Sequence, residues 1–169
     1  DPFRNTYLDD GGNSETANYA YNSVKEAIDI ARDPEFVPYN LVSVPGITNE
    51  QLTTHLVNTA ESRADALAVI DIENVYVPNT ETTDSYQSRV KSVAGAVSSL
   101  KQRRINSSYG CTFYPWVRIR DDISNASLWV PPSVIAIGTM ASSEARSELW
   151  FAPAGFTRGG LSTGAGGFG

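Results

Sequence analysis

The residues most suggestive of chemistry lie at the end of this 169-residue chain, where Gly164-Ala-Gly-Gly-Phe-Gly169 forms a G-x-G-x-x-G pattern. In dinucleotide-binding proteins, these glycines follow a strand and open a helix whose N-terminus holds the pyrophosphate. No strand-like run precedes the pattern here, and no helical run accompanies it. A glycine-rich stretch in such a setting is typical of a flexible linker. We therefore predict no cofactor at this site, and a poorly ordered tail.

The residue types needed for nucleophilic catalysis are sparse. His55 is the single histidine, so a Ser-His-Asp arrangement would have to use it. It lies in a predicted helix beside Leu56, which favours a partly exposed surface position, and the sequence has no G-x-S-x-G elbow. Cys111 is the single cysteine, lies in an apolar stretch and is predicted to be a small core residue. We predict no catalytic residue and no metal ligand.

Asp71 is the strongest remaining candidate for chemistry. It interrupts an apolar strand near its carboxyl end, where open α/β sheets bind ligands. A carboxylate there can ligate a metal or act as a base, and it can equally accept backbone N–H bonds and fix the following loop. Glu73 is close in sequence but no histidine or lysine partner is evident. The pattern favours the structural role, with a small ligand-binding domain or enzyme as the alternative.

The charge balance argues against two classes of partner. The chain has 13 basic and 19 acidic residues, a net charge of -6, which disfavours nucleic acid and anionic membrane surfaces. A short basic run, Lys101-Gln-Arg103-Arg104, suits the negative end of a helix dipole. No apolar run reaches the roughly 18 residues of a membrane-spanning helix, so we predict no membrane insertion.

The hydrophobic pattern predicts strands that alternate with helices. Capping boxes are formed by Thr48 with Gln51 and by Asp84 with Gln87, each before a helical stripe. Strands apolar on both faces, joined by helical crossovers, indicate a three-layer α/β domain with a largely parallel sheet of about four strands flanked by helices. The predicted helices cover 17–32, 48–60, 84–100 and 142–149, and the predicted strands cover 40–46, 65–73, 111–119 and 133–141.

The sequence predicts one folded domain with a segment on either side of it. Residues 1–16 are predicted to be a loop segment, 17–155 a single α/β domain, and 156–169 a glycine-rich connection. Trp116, Trp129 and Trp150 all fall in the final third, in segments stiffened by proline. Core packing explains some of them, and such segments also suit surfaces that pack against another rigid body.

Five short motifs in order resemble the core domain of the sheath protein of contractile bacteriophage (myovirus) tails. Each motif alone is weak, but five in order over residues 40–160 are much stronger. They stand here as Pro45-Gly46, Ile70-Asp71, Tyr114-Pro115-Trp116, Val130-Pro131-Pro132-Ser133 and Trp150-Phe-Ala-Pro153-Ala-Gly155.

The resemblance implies a structural protein without catalysis. It implies that copies stack helically as a sleeve around the tail tube, and that contraction drives the tube through the host envelope. The implied partners are other sheath subunits, the tube and the baseplate, and the implied location is the virion tail, assembled in the host cytoplasm.

The resemblance also implies that this chain is the central core of a longer protein. Residues 156–169 would then lead to a carboxy-terminal domain that faces the tube, and this piece in isolation is consistent with a monomer. The sheath of a related bacteriocin or secretion machine is an alternative.

Overall fold

The structure is a computed structural model that describes residues 18–74, 93–121 and 123–160. It is a mixed α/β arrangement in which helices and strands alternate over the first half of the chain. The helices are α1 (Tyr19–Ile30), α2 (Glu50–Arg63), α3 (Val93–Gln102), α4 (Pro132–Arg146) and the short α5 (Gly155–Arg158). The strands are β1 (Leu41–Val42), β2 (Leu67–Ile70), β3 (Gly110–Thr112), β4 (Val117–Arg120) and β5 (Ser127–Val130).

Two separate sheets form from these strands. The first is parallel, in the order β1-β2-β3, with Leu41 opposite Leu67 and Ala68 opposite Gly110. The second is the antiparallel hairpin of β4 and β5, with Val117 opposite Val130. The parallel order follows from helical crossovers, since α2 joins β1 to β2 and α3 lies between β2 and β3.

The core lies where α1 and α2 pack against the parallel sheet. Gly110 allows the close approach of β3 to α2, because a Cβ at this position would lie 2.9 Å from Cγ2 of Val57. The alternation of side chains along β2 brings Ala68 and Ile70 to this face. The buried residues of this cluster are Ile28, Leu56, Val57, Ala60, Ala68 and Ile70.

The predicted start of α2 was wrong by one residue. The N-cap is Asn49 rather than Thr48, and its side chain accepts hydrogen bonds from the N–H groups of Gln51 and Leu52. Asparagine is at least as good an N-cap as threonine, because its side-chain oxygen reaches the same unpaired donors. The predicted apolar positions of the helix are nevertheless buried.

The carboxyl end of α2 is tied to the segment before β1. Ala64 ends the helix in a left-handed conformation, with φ 60°. The buried Arg63 donates to the carbonyls of Ala31 and Val37 and lies 3.8 Å from the ring centre of Tyr39. Its hydrogen bonds to Asp65 raise the pKa of Arg63 and lower the pKa of Asp65. These contacts hold the α1–β1 connection in place.

The prediction of a fourth strand at 133–141 was wrong, since these residues belong to α4. An apolar run rich in β-branched residues is ambiguous between strand and buried helix. Pro132 occupies the first turn of α4, where a missing N–H costs nothing. The predicted helix at 142–149 is the end of the same helix, which stops at Arg146. Within the described residues, the parallel sheet therefore has three strands rather than about four.

The single strand predicted at 111–119 was also wrong. β3 ends at Thr112 and β4 begins at Val117, with a cis Tyr114–Pro115 peptide between them. Proline has no N–H to donate to a ladder, so the chain leaves the parallel sheet here. It then forms the hairpin with β5, a strand that the sequence analysis missed.

The third predicted helix is described from Val93 onward, and Asp84, Gln87 and Val90 lie outside the described residues. The sequence predicts that this helix buries Val90, Val93, Ala94, Val97 and Leu100. The described part of this prediction was wrong, because Val93, Ala94 and Val97 are exposed and Ala96 is buried. The predicted N-terminal loop, residues 1–16, lies outside the described residues, and so do residues 161–169 of the predicted glycine-rich tail. Within the described ranges, no helix combines the length and apolarity needed to cross a bilayer.

Candidate functional site

Several of the motif residues meet at the carboxyl end of β2. Asp71 follows this strand and is 1% exposed. Its Oδ2 accepts hydrogen bonds from the N–H of Gly46 at 3.0 Å and from the hydroxyl of Ser133 at 2.7 Å. Its Oδ1 accepts the N–H of Ser133 at 3.1 Å. Gly46, Asp71 and Ser133 are called the Asp71 junction below.

Local structure explains why these three residues meet. β1 and β2 are parallel, so the Pro45-Gly46 turn after β1 lies beside the end of β2. Gly46 has φ +79°, which side chains rarely adopt. Ser133 lies in the first turn of α4, where N–H groups have no partner within the helix and the dipole favours a carboxylate. Asp71 thus supplies acceptors to a turn and to a helix start at once.

Two further motifs flank this junction. The indole Nε1 of Trp116 donates to the carbonyl of Ile72 at 2.8 Å, which fixes the chain after β3 to the chain after β2. Pro131 is the N-cap residue of α4, and the buried Pro132 begins the helix. Trp129 lies on β5, opposite Arg118 of β4.

An apolar groove lies between α4 and the chain that leads from β3 to β4. It encloses about 330 Å³ and is called the α4 groove below. Four of the predicted motif residues contribute to its walls: Tyr114, Pro115, Pro132 and Pro153. Its other apolar walls include Phe113, Val117, Ile135, Ala136 and Met140.

The last motif lies on the surface. In the exit segment, defined as residues 148–160, Trp150 is 78% exposed and its ring meets that of Phe151 edge to face at 4.3 Å. The guanidinium of Arg158 lies 4.5 Å from the centre of the Phe151 ring. Gly155 has φ +77° and begins α5. The motif residues are therefore not one cluster, since Trp150 and Gly155 lie apart from the Asp71 junction.

The other candidates from sequence have ordinary surroundings. His55 is partly exposed, and its Nε2 lies 2.8 Å from Oδ1 of Asp29 on α1. Cys111 is half-buried rather than part of the core, and burial raises the pKa of its thiol. Among the residues that the structure describes, no three His, Cys, Asp or Glu side chains group to hold a metal ion.

Sequence reasoning missed the role of Arg103. The basic run was interpreted as a complement to a helix dipole, but Arg103 is buried and reaches the start of α2. It donates to the hydroxyl of Thr53 and, at 2.8 Å, to the carbonyl of Thr48. Desolvation lowers the pKa of this guanidinium. No pattern in the sequence links Arg103 to a residue 50 positions earlier.

The Asp71 junction has the chemistry of a structural connection. Both carboxylate oxygens accept hydrogen bonds from the protein, and the side chain is buried, so a ligand could reach them only if the surrounding chain moved. The bonds join Asp71 to residues 25 and 62 positions away. The predicted acceptance of backbone N–H groups is observed, but the bonded segments are distant ones rather than the loop that follows.

The chain is similar to the tail sheath protein of Enterobacteria phage T4. The two are 26% identical over 158 residues, which is 88% of this chain and 24% of that protein. The chain therefore spans about a quarter of the length of this curated relative. No protein-family model matches the chain. No solved structure matches it either.

Proposed function

We propose that this chain is the central core of a structural subunit of a contractile phage tail sheath. The observation that carries the proposal is the similarity to a tail sheath protein along 88% of the chain. In this proposal, copies polymerise helically around the tail tube in the virion tail and contract to drive the tube through the host envelope. The partners are other sheath subunits, the tube and the baseplate, and the role is not catalytic.

The placement of α4 supports a three-layer core that moves as one rigid body. Ser133 ties the start of α4 to the carboxyl end of β2, while Met140 and Ser143 share a cavity with Leu41 at the start of β1. α4 therefore runs back along the sheet. Asp71 follows Ile70 and so points away from the face that α1 and α2 cover. We infer that α4 covers the second face of the sheet.

The domain boundaries form part of the same proposal. Residues 17–155 would be the sheath core, 1–16 a preceding segment, and 156–169 a connection to a domain that faces the tube. Trp150, near the end of the proposed core, is exposed, which supports a contact surface close to this boundary, because tryptophans are enriched where proteins meet.

Electron microscopy of the full-length parent protein tests this function. The expected result is helical sleeves or tubes, alone or around the tail tube. Dispersed particles under all assembly conditions would contradict the proposal. Genomic neighbours separate a phage tail from a bacteriocin or secretion machine, since the proposal expects tube and baseplate genes of a phage.

The occupied carboxylate of Asp71 disfavours the alternative of a ligand-binding domain or enzyme. That alternative predicts binding of a nucleotide or divalent cation that is lost on Asp71→Ala. Calorimetric titration of the unmodified chain with a panel of nucleotides and Mg²⁺, Mn²⁺ and Zn²⁺ is expected to show no binding. Saturable binding that requires Asp71 would instead support the alternative.

A further inference from the structure

An open cavity lies where the last turn of α4 meets the start of β1 and the exit segment. It encloses about 390 Å³, which is within the range of ligand-binding pockets. One part of its wall is polar and another part is apolar. The polar part includes Ser143, Glu144 and Glu148, and the apolar part includes Leu41, Met140 and Pro153. This site is called the acidic cavity below.

The acidic cavity carries negative charge that the chain does not neutralise directly. Among the described residues, no basic side chain forms an ion pair with Glu144 or Glu148. Arg146, which lies between them in sequence, bonds back to Ser142. Arg158 lies over an aromatic ring of the exit segment and donates to a backbone carbonyl there. The carboxyl end of α4 adds the negative end of a helix dipole, so the cavity favours a cation.

A buried hydroxyl in the same wall is independent evidence for a ligand. Ser143 is 3% exposed, and its Oγ has no hydrogen-bond partner in the described part of the chain. It does not bond to the carbonyl of the preceding turn, as helical serines often do. A buried polar group without a partner is costly, and native proteins pair nearly all of them. A donor that enters the acidic cavity supplies the missing bond, because Ser143 lines it.

The surroundings narrow the class of cation. No three metal-ligating side chains group together in the described ranges, which disfavours a metal ion. The apolar part of the wall suits the aliphatic stem of a lysine or arginine, whose charged head donates hydrogen bonds and accepts none. Leu149 lines the cavity and is 79% exposed, and the adjacent Trp150 is 78% exposed. A protein would cover this apolar rim together with the cavity, whereas a free amine would leave it in water.

We propose that the acidic cavity binds a lysine or arginine side chain of a partner protein. The aliphatic stem packs against Leu41 and Met140. The cation lies beside the carboxylates of Glu144 and Glu148 and donates to the hydroxyl of Ser143. This inference goes beyond the proposed function, because it specifies the chemistry of a partner and holds for any assembly that the chain joins. A lone side chain binds weakly, with a dissociation constant of order 1–10 mM, and the rest of the partner supplies further affinity.

NMR titration of the unmodified chain with blocked amino acids tests the site. The probes are Nα-acetyl-lysine methylamide and Nα-acetyl-arginine methylamide, each added up to about 50 mM so that a weak site is filled. The amide signals of Leu41, Ser143 and Glu144 report on the cavity. The matched control is the lysine probe acetylated on Nζ, which keeps the stem and loses the charge.

The expected result is a saturable shift of these signals with a cationic probe, and about tenfold weaker binding of the acetylated control. The probe that binds more tightly identifies the side chain. No saturable shift, or equal binding of the acetylated control, would overturn the proposal. Putrescine that binds more than about tenfold tighter than both probes would assign the cavity to a free amine and overturn the protein partner.

Paired substitutions separate the acidic cavity from the overall charge of the chain. Glu144→Gln combined with Glu148→Gln should weaken binding of the cationic probe by about tenfold. The control combines Glu26→Gln on α1 with Glu61→Gln on α2, which changes the net charge equally and should alter binding by less than about twofold. All four positions are exposed, so both variants should fold, and thermal unfolding checks this. Equal losses of binding in the two variants would overturn the proposal.

Ser143→Ala distinguishes a hydroxyl that binds a ligand from one that only supports the fold. Since this hydroxyl has no partner among the described residues, its removal should not lower the midpoint of thermal unfolding. Binding of the cationic probe should nevertheless weaken by about fivefold, because one hydrogen bond to the cation is lost. A lower midpoint with unchanged binding would assign the hydroxyl to the fold and overturn its place in the site.

Discussion

The Asp71 junction and the projecting regions differ in whether their side chains are buried or face solvent. In the junction, Asp71 and Ser133 are almost fully buried and their polar atoms are paired across long sequence distances. In the projecting regions, which are the β4–β5 hairpin and the exit segment, Ile123 and Trp150 face solvent. A residue of the five motifs can therefore hold the fold together, as Asp71 does, or lie on the surface, as Trp150 does. The exposed fraction of the side chain distinguishes the two cases.

The largest effect that would sharpen this comparison is expected from Asp71→Ala. It leaves the N–H groups of Gly46 and Ser133 and a buried hydroxyl without their acceptor, so the free energy of unfolding should fall by roughly 3–5 kcal/mol. Urea denaturation measures this. Asp33→Ala, which removes one exposed bond to the N–H of Glu35, is the control and should cost less than about 1 kcal/mol. Equal costs would remove the distinction between junction and surface.

The next effect concerns the backbone at Gly46. Gly46→Ala should lower the free energy of unfolding by about 1–2 kcal/mol, because alanine disfavours φ +79°. Gly138→Ala, inside α4, should raise it by about 0.5–1 kcal/mol. A Cβ at either position meets no atom within 4 Å, so the opposite signs report backbone conformation alone. A loss of stability at both positions would contradict this explanation.

A pair of tryptophan substitutions compares the two regions directly. Trp116→Phe removes the indole N–H that binds the carbonyl of Ile72 and should cost about 1 kcal/mol. Trp150→Phe changes an exposed ring and should alter the free energy of unfolding by no more than about 0.5 kcal/mol. Thermal unfolding of the two variants checks this order. The reverse order would place the exit segment among the stabilising parts of the fold.

The smallest effect is a local one at the hairpin tip. The pKa of Asp121 lies below its usual range, chiefly because the hydroxyl of Ser124 donates to the carboxylate and also because the N–H of Ile123 does. The hydrogen bonds from Ile123 and Ser124 to the Asp121 carboxylate should be fully formed above the usual aspartate pKa of about 3.9. They should weaken as the pH falls through the lowered pKa and the carboxylate becomes protonated. The amide NMR signals of Ile123 and Ser124 should titrate with a midpoint below about 3.9. Asp121→Asn is the control. If the amide signals of Ile123 and Ser124 titrate unchanged in this variant, the titration belongs to another group.

The sequence predicted the first half of the fold well and the second half poorly. The regions of α1, α2, β1 and β2 were found because apolar positions repeat at helical spacing or form short runs that end at turn residues. The run from Ser133 to Ala141 has the composition of a strand, and Pro132 as a first-turn residue was the signal that would have indicated a helix.

The Asp71 junction was predicted in position but not in its partners. A carboxylate at a strand end is visible in the sequence, and its acceptance of N–H bonds follows from short-range chemistry. That Gly46 and Ser133 supply the donors depends on how distant parts of the chain meet at the end of β2, which one sequence does not specify. The hydrogen bond of Arg103 to Thr53 was missed for the same reason, since it joins residues that are 50 positions apart in the sequence.

The Asp71 junction has a further consequence for the lifetime of the folded molecule. Its hydrogen bonds close chain loops of 25 and 62 residues, and such distant contacts form only after the entropy of loop closure has been overcome. We therefore expect the junction to form late in folding, so that its loss speeds unfolding more than it slows folding. The lifetime of the folded state depends on slow unfolding, and this buried aspartate is placed to supply it.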